Sequence, residues 1–188
     1  MVDYNAAMDL LGIGSLVLWT GLSLLLVPDI SAANWYEPTI LAAVSMPVVL
    51  ATLVALRLGR APVVWERTLL ASFLFFMPTV YLGSLALHGG SRDWLATESV
   101  GQMLFAAIAL IGWRVPWVLA VGLASHGLGW DWWHYGRTGF LPDWYAIACL
   151  MVDVGCGVYA LSRLPAWNES VRAERVERRS AQRADVRG

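Results

Sequence analysis

The chain is built from apolar runs as long as a bilayer is thick. Between Arg67 and Arg92 it carries no Asp, Glu, Arg or Lys, and Leu10–Pro28 and Pro38–Leu56 are equally uncharged. A helix of about 20 residues crosses the hydrocarbon core. Inside that core every backbone polar group must be satisfied within the protein, so such runs can only be helices. Six stretches reach spanning length: 8–28, 37–56, 67–88, 94–113, 115–134 and 144–163. Composition agrees: 14% of residues are charged, against about 25% in a soluble domain. The pattern predicts an all-α, six-helix transmembrane bundle over 1–164. A charged tail over 165–188, a frayed helix or disordered, follows it.

The first run is read as a mature helix and not a signal peptide, although Ser31-Ala32-Ala33 resembles a cleavage site. Met1 to Asp9 holds two Asp and no positive charge, and the apolar run is too long for a signal core.

All thirteen basic residues are Arg. With six spans, Arg57, Arg60, Arg67, Arg114, Arg163 and the six arginines of the tail share one side, and only Arg92 and Arg137 face the other. Positive charge marks the cytoplasmic side. Both termini are therefore expected in the cytoplasm of a bacterial inner membrane. Trp35, Trp94, Trp132, Trp133 and Trp144 fall at outer ends, and Trp65, Trp113, Trp117 and Trp167 at inner ends. This is the arrangement of interfacial aromatic belts. Pro47 and Pro78 lie inside spans and should kink them. The lack of Lys excludes a retinal-type Schiff base. The tail's Arg and Glu are too mixed in sign for a nucleic-acid arm, although a slight positive excess suits anionic lipid headgroups.

The last three runs reach spanning length only by including Glu98, Asp131 and Asp153. Each carboxylate costs roughly 2.5–3.5 kcal/mol at a bilayer centre, so each needs a partner or a task. At 100° per residue Asp131 and His134 are i,i+3 neighbours, with His126 two turns deeper. Glu98 and Gln102 share a face one turn apart, and Cys149, Asp153 and Cys156 share another. Tyr81 stands towards the outer end of its span. Asp131, His134 and Glu98 are expected as an outer group and His126 with Asp153 as a deep pair. Gly122, Gly127 and Gly129 are expected to let another helix approach closely. The two cysteines, seven residues apart on one helix, are too distant for a disulfide and are expected to pack.

The runs Pro78-Thr79-Val80-Tyr81-Leu82-Gly83 and Ile111-Gly112-Trp113-Arg114 flank Glu98. The helix His126-Gly127…Trp130-Asp131…His134 leads to Leu141-Pro142-Asp143-Trp144-Tyr145, with Cys149 and Asp153 beyond. Together, over roughly 77–160, they resemble an uncharacterised family of small bacterial integral membrane proteins. That resemblance implies topology and site residues but no reaction. A chemical likeness to intramembrane ceramidase-type hydrolases, which hold zinc with His and Asp, carries no substrate with it. The expected site residues are His126, Asp131, His134, Glu98 and Asp153, opening to the outer face. Zinc held by Asp131, His134 and Glu98 would serve metal-dependent or acid–base hydrolysis of lipid-like substrates. The alternatives are a proton-coupled carrier of a small molecule, and a non-enzymatic assembly protein meeting a membrane-protein partner or its own copies.

Overall fold

The computed structural model describes residues 4–24 and 38–185. Ser31-Ala32-Ala33, Trp35 and the end of the first apolar run (25–28) lie outside the described residues. The described chain is all helical, in six segments. These are α1 (Tyr4–Leu24), α2 (Pro38–Leu58), α3 (Val63–His88), α4 (Arg92–Arg114), α5 (116–134) and α6 (Asp143–Asp185). Among the described residues, four helices are long and apolar enough to cross a membrane: Thr39–Leu58, Val63–His88, Arg92–Arg114 and Asp143–Arg183. Such helices fit a membrane protein. The first three coincide with the expected spans 37–56, 67–88 and 94–113 to within a few residues, and the fourth starts where 144–163 does but runs about 20 residues further.

The connections are short and chemically marked. Gly89 ends α3 at φ +78°, in the left-handed region where a side chain would be strained. Ser91 caps α4, its Oγ accepting from the Trp94 backbone N–H at 3.2 Å. Only Val115 separates α4 from α5, which begins with Pro116. That tight turn depends on Gly112, where a Cβ would stand 2.7 Å from the Leu119 backbone nitrogen. α1 packs mainly along α6, α3 along α4, and α5 against both α4 and α6. Cys149 and Cys156 are free thiols buried within α6.

At the basic end the buried carboxylate Glu66 is fully engaged. Arg163 grips Glu66 with two hydrogen bonds, Nε to Oε2 at 2.9 Å and Nη2 to Oε1 at 3.2 Å. Trp167 Nε1 donates to the same carboxylate at 3.2 Å, and Arg67 Nη2 donates to Glu174 Oε1 at 2.6 Å. Two expectations change here. Trp167 is fully buried, so it serves this ion pair and not an interfacial belt, whereas Trp65 and Trp117 are exposed as a belt requires. The segment after Pro165 does not break away: α6 carries Pro165 internally and runs on to Asp185. Trp167, Val171 and Glu174 hold its first turns to α3 and the bundle. Pro costs a helix one hydrogen bond, and these contacts offset that loss.

Removing one partner of a buried ion pair leaves the other charge uncompensated, at about 3–5 kcal/mol. Glu66→Ala should therefore lower unfolding stability of the detergent-solubilised protein by about that amount. An unchanged unfolding midpoint would refute the structural weight given to this cluster.

Candidate functional site

The site is set by a local irregularity in α5. The helix is regular over Pro116–Ser125, opens into a π turn over His126–Asp131, and closes again over Trp132–His134. In a regular α-helix residues five apart stand about 140° from each other. The i→i+5 bonding of a π turn brings such residues to the same side. Asp131 Oδ1 accordingly lies 3.5 Å from His126 Nδ1. π turns recur at functional sites.

Around this turn a buried cluster forms from three helices. His126 Nδ1 stands 2.7 Å from Asp153 Oδ2 of α6. Tyr81 of α3 donates its hydroxyl proton to Asp131 Oδ1. The His126–Asp153 contact requires close helix approach at Gly127, where a Cβ would meet Asp153 Cβ at 2.8 Å and the Leu150 carbonyl oxygen at 3.1 Å. Gly122 is likewise packed, against Ile108 and Leu74, while Gly129 faces open space.

A second pair lies beside the first. His134 Nδ1 donates to the Trp130 carbonyl at 2.7 Å, and its Nε2 stands 2.7 Å from Glu98 Oε1 of α4. Trp130 is seated in the notch left by Gly101, whose Cβ would fall 2.2 Å from the indole ring. The Tyr81 ring lies 4.5 Å from that of His134 between centroids, so it stands between the two groups.

All five expected residues are brought into this region, in a different grouping from the expected one. His126 with Asp153, and Glu98 with His134, pair as the sequence suggests. Asp131 does not join Glu98 and His134. The π turn takes it to His126, beside Asp153, and away from the expected outer group with Glu98 and His134. Ligand atoms of His126, Asp131 and Asp153 all lie within 4.8 Å of one another, the geometry of a metal-holding set. The expected opening to the outer face is also corrected: all five side chains are fully buried. Gln102 turns away, donating to the Phe75 carbonyl at 2.9 Å beside Pro78, where the proline disturbs helix bonding. Tyr81, which the sequence places by depth alone, proves to be the second partner of Asp131.

Several polar atoms of the cluster have no hydrogen-bond partner among the described residues: Asp131 Oδ2, Asp153 Oδ1 and His126 Nε2, with Glu98 Oε2 in the neighbouring pair. A group buried and unpaired in this way costs about 1–3 kcal/mol, more if charged. Two carboxylates, an imidazole and a phenol in one dry site can take up a divalent cation or exchange protons among themselves. No protein-family model, curated protein or solved structure matches this chain.

Gly127→Ala should force α5 from α6 and cost about 1–3 kcal/mol of stability. Gly129→Ala should stay within about 0.5 kcal/mol of the parent. Equal effects of the two substitutions on thermal unfolding would contradict the packing described.

Proposed function

We propose that this protein crosses a bacterial inner membrane six times, with both termini cytoplasmic. We propose further that its His126–Asp131–Asp153 cluster holds a divalent transition metal, zinc foremost, for hydrolysis of lipid-like substrates. One observation carries the reading. Three ligand-type side chains converge within 4.8 Å, yet two of their carboxylate oxygens remain unpaired in a fully buried setting. A purely structural network would satisfy them, as buried polar groups are usually satisfied. The asymmetry of arginines, and the resemblance to small bacterial membrane proteins, support the placement.

One imidazole and two carboxylates suit zinc, iron or manganese. Three protein ligands leave a coordination position for catalysis. Held by His126, Asp131 and Asp153, a divalent ion would supply Lewis-acid polarisation of an ester or amide carbonyl. The chain's own residues do the remainder. Tyr81 fixes the orientation of Asp131 by donating to its Oδ1, as hydrogen-bond donors behind metal ligands do. The His134–Glu98 pair, in hydrogen-bond contact at 2.7 Å, is an acid–base couple beside the Tyr81 ring. Access from lipid is supported by a cavity of about 390 Å³ between α2 and α3, lined by Met46, Phe76, Val80 and Tyr145 among others. The Tyr145 ring is 6.2 Å from that of Tyr81. A proton-coupled carrier is less well supported. Between Asp153 and Tyr159, α6 offers only Val154, Gly155, Cys156, Gly157 and Val158.

The test is metal analysis of the detergent-purified protein, stripped with chelator, reloaded with zinc and dialysed. About one ion per chain is expected. His126→Ala and Asp153→Asn should abolish retention, and His134→Ala should keep it. Retention by the parent no higher than by Asp153→Asn would overturn the metal site. The hydrolytic part stands on a separate readout, release of fatty acid or amine from ester- and amide-linked lipids in mixed vesicles. Equal release by the loaded parent and by His126→Ala would remove it.

A further inference from the structure

The basic end carries a second site that the cluster does not use. A cavity of about 170 Å³ is lined by Trp113, Arg114, Val171, Glu174, Arg175 and Arg178. It adjoins a groove of about 500 Å³ between α3 and α4, lined chiefly by apolar residues including Ala71, Phe75, Phe76, Ala109 and Leu110. Trp113 and Arg114 line both. A cationic mouth thus lies next to an apolar groove, with Trp113 and Arg114 common to the two.

The charge of the mouth is unbalanced. Arg114, Arg175 and Arg178 face a single carboxylate, Glu174, and that carboxylate is already bound to Arg67 at 2.6 Å. Arg67 is fully buried, and its Nε and Nη1 have no hydrogen-bond partner among the described residues. Its guanidinium carbon lies 5.8 Å from the centre of the Trp113 ring, and that of Arg114 lies 5.9 Å away. Trp113 is itself fixed by donating to Thr68 Oγ1 at 3.0 Å. Guanidinium groups are the preferred partners of phosphate oxygens. Basic pockets at the cytoplasmic end of membrane helices bind anionic headgroups. In the topology proposed above, this mouth lies where the headgroup phosphates of the cytoplasmic leaflet lie.

We infer that this mouth and groove together bind one anionic phospholipid, its phosphate held by Arg114, Arg175 and Arg178 and an acyl chain lying in the α3–α4 groove. Bound there, the lipid joins the extension of α6 to α3 and α4 and balances the charge of the three arginines that line the mouth. The inference rests on the membrane topology and is independent of the metal cluster.

The full chain in detergent is tested by thermal unfolding and by native mass spectrometry after exchange with phosphatidylglycerol, phosphatidylcholine or inorganic phosphate. Phosphatidylglycerol should raise the unfolding temperature and remain bound at one copy, and phosphatidylcholine and phosphate should do neither. Arg175→Ala with Arg178→Ala should weaken phosphatidylglycerol retention about tenfold or more, given the contribution of each headgroup-facing arginine. Arg172→Ala with Arg179→Ala removes equal charge from residues that do not line the mouth and should change retention less than about twofold. Ser72→Trp, which fills the groove from an exposed position, should reduce retention with every arginine intact. Equal losses from the two arginine pairs would overturn the site in favour of diffuse attraction. Equal binding of the two lipids, stabilisation by phosphate alone, or a co-purifying polypeptide that lipid cannot displace would each overturn it as well.

Discussion

A carboxylate held in hydrocarbon must meet another polar group, and the packing of α3, α5 and α6 follows from that requirement. Asp153 can reach His126 only because Gly127 lets α6 lie against the backbone of α5. Asp131 can reach the same imidazole only because α5 opens into a π turn. Tyr81 then ties α3 to the pair through Asp131. α4 is drawn in by the neighbouring Glu98–His134 contact and by Trp130 seated over Gly101. Apolar helices in lipid have little hydrophobic reason to choose one neighbour over another. These polar contacts supply the choice.

The two ends of the structure use buried charge differently. Around Glu66 one carboxylate receives three donors, from Arg163 and Trp167. Around His126 two carboxylates keep free oxygens although the surroundings are equally dry. The same chain therefore pairs the Glu66 carboxylate fully and leaves one oxygen each of Asp131 and Asp153 without a partner among the described residues. Arg67 and its neighbours extend this reasoning to cations. The guanidinium groups there outnumber the available carboxylates, and the groove beside them is lined chiefly by apolar residues.

Much of the architecture could be read from the residues. Long apolar runs, three of them charge-free and three interrupted by a single carboxylate, marked the helices, since length and composition need no tertiary context. Helical spacing and depth together paired Glu98 with His134 and His126 with Asp153. The position of Asp131 was not legible. Counting at 100° per residue assumes an unbroken α-helix, and His126-Gly127-Leu128-Gly129-Trp130-Asp131 does not form one. Two glycines in six residues weaken local helix preference, which is the one signal that could have pointed to the irregularity. Trp167 was misplaced for a related reason. A tryptophan near a membrane end suits an interface by default, and only the fold shows that Glu66 and Arg163 enclose it. The continuation past Pro165 likewise depends on contacts with α3 that sequence periodicity does not contain.

The central claim is that His126 and Asp153 meet in one buried cluster and depend on each other. A double-mutant cycle measures this directly, with His126→Leu, Asp153→Leu and the combined variant compared for unfolding free energy in one detergent. The account predicts a coupling above about 1 kcal/mol, the double variant losing less than the sum of the single losses. Additivity within about 0.3–0.5 kcal/mol would contradict it, since residues that do not touch behave in that way.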